Sequence, residues 1–182
     1  MKAVMISIRP PWCQKIASGK KTMELRKSKP KLELPFKCYI YCTIGCPTPA
    51  QYEWCDYEPY GMVIGEFVCD AILSHCEMAN ADIAEQMSCV RREKILEYSG
   101  GKEVFGWHIS GLVIYDTPKE LGEFCVEGDC NCMNCHKCGW FERGNGYNVE
   151  DDCGLVYEYM GSGKTLKPLF RPPQSWLYVE EI

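Results

Sequence analysis

Apolar and polar positions change their period several times along the first fifth of this chain, and each change marks an element. Met5, Ile6 and Ile8 form a strand-like run that Pro10-Pro11 ends. Proline suits the first turn of a helix, where its missing N–H costs nothing. Trp12, Cys13, Ile16 and Ala17 then make a one-sided helical stripe, and Gly19 falls where a left-handed C-terminal cap is expected. From there the period drops to two. Met23 and Leu25 alternate with Thr22, Glu24 and Arg26, the pattern of a half-buried strand. That alternation puts Glu24 and Arg26 on one face, with Lys21 at the strand mouth within reach of both.

The remainder reads mostly as strands. Lys27 to Pro35 is a connection rich in lysine and proline. Phe36 to Thr43 is a strand with Tyr39 and Tyr41 on one face and Cys38, Ile40 and Cys42 on the other. Cys46 to Tyr60 reads as a loop. Met62 to Leu73 is a long strand in which Gly65 marks a bulge or a close approach. Asn80 or Asp82 can cap a helix running to about Tyr98, with Ile83, Met87, Val90 and Ile95 near one face and Arg91-Arg92 on a solvated one. Gly100-Gly101 ends it. Val104 to Tyr115 and Gln174 to Val179 are further strands. The pattern predicts an α+β chain, a small mixed β-barrel with flanking helices.

Composition narrows the class. At 182 residues, 46% of them hydrophobic and five of them tryptophan, the chain has one domain's core with room for a substantial insertion. No apolar run approaches the roughly 20 residues that span a bilayer. The apolar run at the N-terminus is too short for a secretory signal, so a cytoplasmic protein without membrane partners is expected. The net charge of −5 is unevenly spread. Residues 1–37 hold ten Lys or Arg against two Glu, and the acids concentrate in the rest. A basic N-terminal region on an acidic body points to a localised anionic partner.

Fourteen cysteines in such a chain favour metal over disulfides. Five of them crowd between Cys125 and Cys138, and Cys153-Gly154 follows. Cys135-His136-Lys137-Cys138-Gly139 has the Cys-x2-Cys-Gly form of a zinc knuckle. Cys135 and Cys138, with two of Cys130, Cys132 and Cys153, would hold a structural zinc. Cys132, Cys135 and Cys138 also have the spacing of an iron–sulfur run, which stays open as an alternative. The scattered Cys13, Cys38, Cys42, Cys69, Cys76 and Cys89 read as buried small apolar residues.

Two other patterns carry nothing. Gly161-Ser162-Gly163-Lys164-Thr165 imitates the end of a phosphate-binding loop, but Glu158 stands where that loop needs glycine and prolines follow. His75, His108 and His136 suggest no catalytic triad, so any catalysis must come from the group around Lys21 and Glu24.

Gly19-x-Lys21-x-x-Glu24-x-Arg26, after Ser7-Ile8-x-Pro10-x-Trp12, resembles the signature of the ASCH family, the activating-signal-cointegrator homology domains of the PUA-like superfamily, in its phage and bacterial form. Gly65-Glu66-Phe67-Val68, Phe105-Gly106-Trp107-His108-Ile109 and Pro172-Pro173-Gln174-Ser175-Trp176 fit as well. The likeness covers roughly residues 1–120 and 165–182, which makes 121–164 a Cys-rich insertion. It implies a PUA-like barrel and a cleft beside the first helix, lined by Lys21, Glu24 and Arg26.

The function it implies is binding of RNA or a nucleotide-like ligand. Lys21 and Arg26 would meet phosphate, Glu24 would accept from a base, Trp12 or Trp107 would stack on one, and Arg9 would belong to the same nucleic-acid-binding set. The alternative is a hydrolase using Lys21 and Glu24, either a ribonuclease or an amidohydrolase on N4-acetylcytidine. In the amidohydrolase pattern a threonine occupies the position of Glu24.

Overall fold

The computed structural model describes residues 1–44, 60–74, 81–128, 159–160 and 164–182. Its central sheet has five strands, β1 (Lys2–Ile8), β3 (Phe36–Cys42), β4 (Met62–Cys69), β7 (Ser110–Lys119) and β11 (Trp176–Glu180), in the order β11-β1-β3-β4-β7. β1 and β3 run parallel, and the other neighbours are antiparallel. The parallel pair needs a crossover, which α1 (Pro10–Ala17) and β2 (Met23–Arg26) supply. A second sheet joins β2 to β6 (Phe105–His108) and β5 (Ile72–Leu73).

The expected long strand from Met62 and the one from Val104 are each divided. Both bend at the same level, at Asp70-Ala71 and at Ile109, and His108 N–H donates to the Ala71 carbonyl at 2.9 Å across the bend. One antiparallel ribbon thus passes from the five-stranded sheet into the second, a corner of the kind that bent strands make between packed sheets. The architecture is mixed α+β as the pattern predicts. Among the described residues no strand pairing closes the two sheets into a barrel.

Both faces of the central sheet are covered. Val4, Ile6 and Ile8 of β1 join Cys38, Ile40, Cys42, Ile16, Phe67 and Trp107 in one core. Ala3 and Met5 join Tyr39, Tyr41, Phe124 and Leu169 in the other. The alternation expected for β3 is therefore present, with apolar surroundings on both sides.

Gly65 is the close approach that its place in the strand suggests. A Cβ there would lie 2.3 Å from the Val113 carbonyl oxygen.

The third core buries Met23 and Leu25 of β2 against Ala84 and Ile95. These belong to two helices, α2 (Ala81–Ser88) and α3 (Arg92–Ser99), where the pattern predicts one. The backbone at the break is bonded locally. Ser88 Oγ accepts from Val90 N–H at 3.2 Å, and Cys89 takes a left-handed backbone with φ +57°. A serine side chain that bonds the backbone nearby competes with helix propagation. The end of α3 follows expectation, with Gly100 as its left-handed cap.

A third, small sheet has the order β8-β10-β9, from β8 (Cys125–Gly128), β9 (Tyr159–Met160) and β10 (Lys164–Pro168). It brings Gly128 opposite Thr165 and Cys125 opposite Pro168. Lys164-Thr165 begins a strand and not a helix, so the phosphate-loop imitation lacks the element such loops need. No helix among the described residues is long and apolar enough to cross a membrane.

Candidate functional site

A cleft of about 720 Å³ opens where the C-terminal ends of β1 and β3 meet β2, α1 and the α2–α3 corner. Glu24 and Arg26 form its floor, while Met23 and Leu25 pack against the helices and Leu25 also borders the cleft. Arg9 and Trp12 stand on one side. Arg91, Lys94 and Tyr98 stand on another, and Gln174 and Ser175 close one end.

The Glu24 carboxylate sits between two cations. Arg26 Nη1 lies 2.8 Å from Oε1 and Lys21 Nζ lies 3.2 Å from Oε2. Lys21 is 2% exposed and Glu24 is 5% exposed, so this is a buried arrangement and not a solvated surface pair. Charges so deep need close partners, since desolvation otherwise exceeds the Coulomb gain. Arg26 is further fixed by the Ser7 carbonyl, to which Nη2 donates.

Lys21 departs from the role expected of it. Its ammonium donates to the Met23 carbonyl at 2.8 Å and to the Ser88 carbonyl at 2.7 Å, besides facing Glu24. Three oxygens account for its three N–H bonds, so in this geometry it offers no proton to a phosphate. It anchors the α2–α3 corner to β2 and holds Glu24. Thr22 N–H, which donates to the Met87 carbonyl at 2.9 Å, secures the same corner.

Trp12 is half-buried on the cleft wall, with Lys21 Nζ 5.2 Å and Lys15 Nζ 4.8 Å from its ring centre. Trp107 does not reach the cleft. It is fully buried, edge-on to Phe36 at 5.9 Å and tilted against Trp176 at 5.9 Å. A ring with no exposed face cannot stack on a base, and its role is packing. Arg9 is exposed at the rim, directly before α1.

The α3 wall was not foreseen. Arg91, Lys94, Ile95 and Tyr98 all line the cleft, and their spacing of three and four residues was legible once α3 is taken as a separate helix. Arg91 is exposed, as expected, and also stands on the cleft wall. Cys89, expected in the core, is half-buried on the cleft wall and donates to the Lys20 carbonyl at 3.2 Å. Cys13, Cys38, Cys42 and Cys69 are buried as expected. Burial pushes the Cys13 and Cys38 thiols well up and that of Cys69 up to about 12, which leaves them inert.

Away from the cleft, His108 Nδ1 lies 2.6 Å from Asp70 Oδ1, and this contact holds the carboxyl below its usual range. Ser110 Oγ donates to the Val68 carbonyl at 2.9 Å, so it is not arranged as a nucleophile activated by the imidazole.

Among the described residues no group of three or more His, Cys, Asp or Glu could hold a metal ion. The expected ligands Cys130, Cys132, Cys135, Cys138 and Cys153 lie outside the described residues, as do Cys76, His75 and His136.

No protein-family model matches the chain, and no curated protein does. Solved structures do. The crystal structure of ASCH from Zymomonas mobilis matches with a TM-score of 0.55 and 18% identity, covering 98% of this chain and 88% of that one. This is the ASCH fold. Two single-substitution variants of the same Zymomonas mobilis protein also match with a TM-score of 0.55. One has 17% identity and covers 98% of this chain and 89% of its own. The other has 18% identity and covers 100% of this chain and 92% of its own. At this identity the likeness is one of backbone architecture, and Glu24 and Arg26 of the ASCH-like motif fall on the strand that floors the cleft.

Proposed function

We propose that this chain is a binding module of ASCH type that takes RNA or a nucleotide-like ligand in the cleft. The observation that carries the reading is the Glu24 carboxylate held between Lys21 and Arg26 on the floor of an open cleft. A carboxylate so fixed is an oriented acceptor for the amino group of a base. Arg9 and Arg91 at the rim supply positive charge for phosphate, and Trp12 offers an aromatic wall. Lys21 serves this site by position and not by contact.

The hydrolase alternative would use Glu24 as the acid–base group. The bonds that occupy the Lys21 ammonium weigh against a proton-transfer role for that residue.

Titration of labelled single-stranded RNA and of nucleoside monophosphates tests the reading, with Arg9→Ala as the variant least able to disturb the fold. Arg9→Ala should weaken binding and lower the magnitude of the salt slope by about 0.7 if it removes one phosphate contact. Glu24→Gln should change which base is preferred. Absence of binding by the wild-type chain would overturn the proposal, and turnover of acetylcytidine or RNA would favour the hydrolase.

For the Cys-rich stretch we propose a structural zinc, on spacing alone. Cys135 and Cys138 with two of Cys130, Cys132 and Cys153 would supply four thiolates, the set zinc prefers.

A further inference from the structure

The α3 wall bears on what extends out of the cleft. Arg91, Lys94 and Tyr98 recur on one helix face, so cations line the wall and an aromatic ring ends it. Tyr98 is 39% exposed, and Lys27 Nζ lies 4.8 Å from its ring centre. Lys27 directly follows Arg26 of the cleft floor. The next lysine, Lys29, lies 5.2 Å from the ring centre of Phe105, which is the register partner of Arg26. Two cation–aromatic pairs therefore follow directly on the strand that floors the cleft.

A lysine over an aromatic ring is ordinary surface packing when it stands alone. Here the pairs stand beside a cationic wall, and their lysines belong to residues 1–37, where ten Lys or Arg meet two Glu. Lys94 is engaged by Glu97 at 2.6 Å, but both side chains are 69% exposed. Such a pair is weak and exchanges readily for a phosphate. Alternating phosphate-sized positive charge and aromatic faces is what a single strand of nucleic acid needs from a surface, a charge for each backbone group and a ring for each base.

We infer that Lys27 and Tyr98 form a subsite for a second nucleotide of a single-stranded RNA whose first nucleotide occupies the cleft. The inference rests on the RNA-binding reading above and deepens it: the occupant is a strand and not a free nucleoside.

The test compares the four nucleoside monophosphates with random-sequence RNA oligomers of about two, four and eight nucleotides, by calorimetry and anisotropy at fixed salt. Affinity should rise at least about tenfold from monophosphate to tetramer. Lys27→Ala should weaken tetramer binding about five-fold or more and leave monophosphate binding unchanged, and Tyr98→Ala should weaken tetramer binding by more than it weakens monophosphate binding. Tyr98→Phe should restore it, which separates stacking from any loss of folding. Monophosphates binding as tightly as the octamer, or variants that weaken both ligands equally, would overturn the subsite. That result differs from failure of the underlying reading, in which the wild-type chain binds neither monophosphate nor oligomer.

Discussion

The Lys21 ammonium donates to the Ser88 carbonyl oxygen at 2.7 Å, across 67 residues of chain. This bond makes the start of β2 and the end of α2 one unit, and it sets where the α3 wall stands relative to Glu24. A side chain that would ordinarily be read as a ligand-binding cation is an internal strut.

Replacing Lys21 with Met should therefore act on the fold before it acts on any ligand. Removing one partner from a buried charged group costs about 3–5 kcal/mol. In a protein of this size each kcal/mol lowers the melting temperature by about 2–4 °C. The melting temperature should fall accordingly, and amide exchange should quicken first around Cys89 and Val90. A variant as stable as wild type that loses only ligand affinity would assign Lys21 to the ligand instead.

Gly65 offers a second measurement. Ala at this position places a methyl group 2.3 Å from the Val113 carbonyl oxygen, and backbone cannot yield as a flexible side chain does. Gly65→Ala should lose about 1–3 kcal/mol through separation of β4 and β7. Denaturant titration reads this as a lower midpoint with little change in slope.

Alkaline pH addresses a pair on the same strands. Tyr115 Oη donates to Glu66 Oε2 at 2.6 Å. Burial, and then Glu66, raise the phenol above its usual value. The folded chain thus keeps a proton that the unfolded chain releases. The stabilisation is whole below about pH 10, the unfolded value, and declines as the pH rises toward the folded one. Tyr115→Phe should flatten this decline by at most about 1.4 kcal/mol per pH unit. Tyr39 and Tyr41, also raised by burial, would leave a residual slope. Urea melts at pH 9, 10 and 11 (about one unit either side of the usual phenol value) would show it. Identical slopes for wild type and variant would remove Tyr115 from the account.

The zinc proposal predicts about one metal atom per chain in a reduced preparation. Chelation should then loosen residues 125–155 and leave the five-stranded sheet folded, because thiolate–zinc bonding supplies the folding energy of such a segment. Elemental analysis decides it: absence of metal rejects the proposal, and iron with visible absorption replaces zinc by a cluster.

What was legible in the chain was whatever local period and local chemistry dictate. The β1–α1–β2 unit lies where Pro10, Gly19 and the Met23–Arg26 alternation put it, and the shared face of Glu24 and Arg26 followed from period two alone. The α2–α3 break was not legible. No glycine or proline marks Cys89, and the bond that fixes the Ser88 carbonyl comes from Lys21, far away in sequence. The α3 wall was hidden for the same reason, since the position of Arg91 relative to the cleft depends on that corner. Trp107 was misplaced because period two gives two faces to a strand without saying that both are covered. The bends at Asp70 and Ile109 arise from two strands turning together, a pairwise property that neither segment contains.

The antiparallel pairing of Gly128 with Thr165 makes the entry and exit of the Cys-rich stretch neighbours on adjacent strands. Paired residues in such a ladder lie about 5 Å apart, a gap that a two-residue hairpin turn closes. In engineering terms the fold has a socket there. A shortened chain running from Gly128 through Asn-Gly to Thr165 keeps every strand of the five-stranded sheet and every residue lining the cleft. By the same geometry a replacement segment needs only two ends that lie side by side, and an exchange between Gly128 and Thr165 is expected to leave the five-stranded sheet folded.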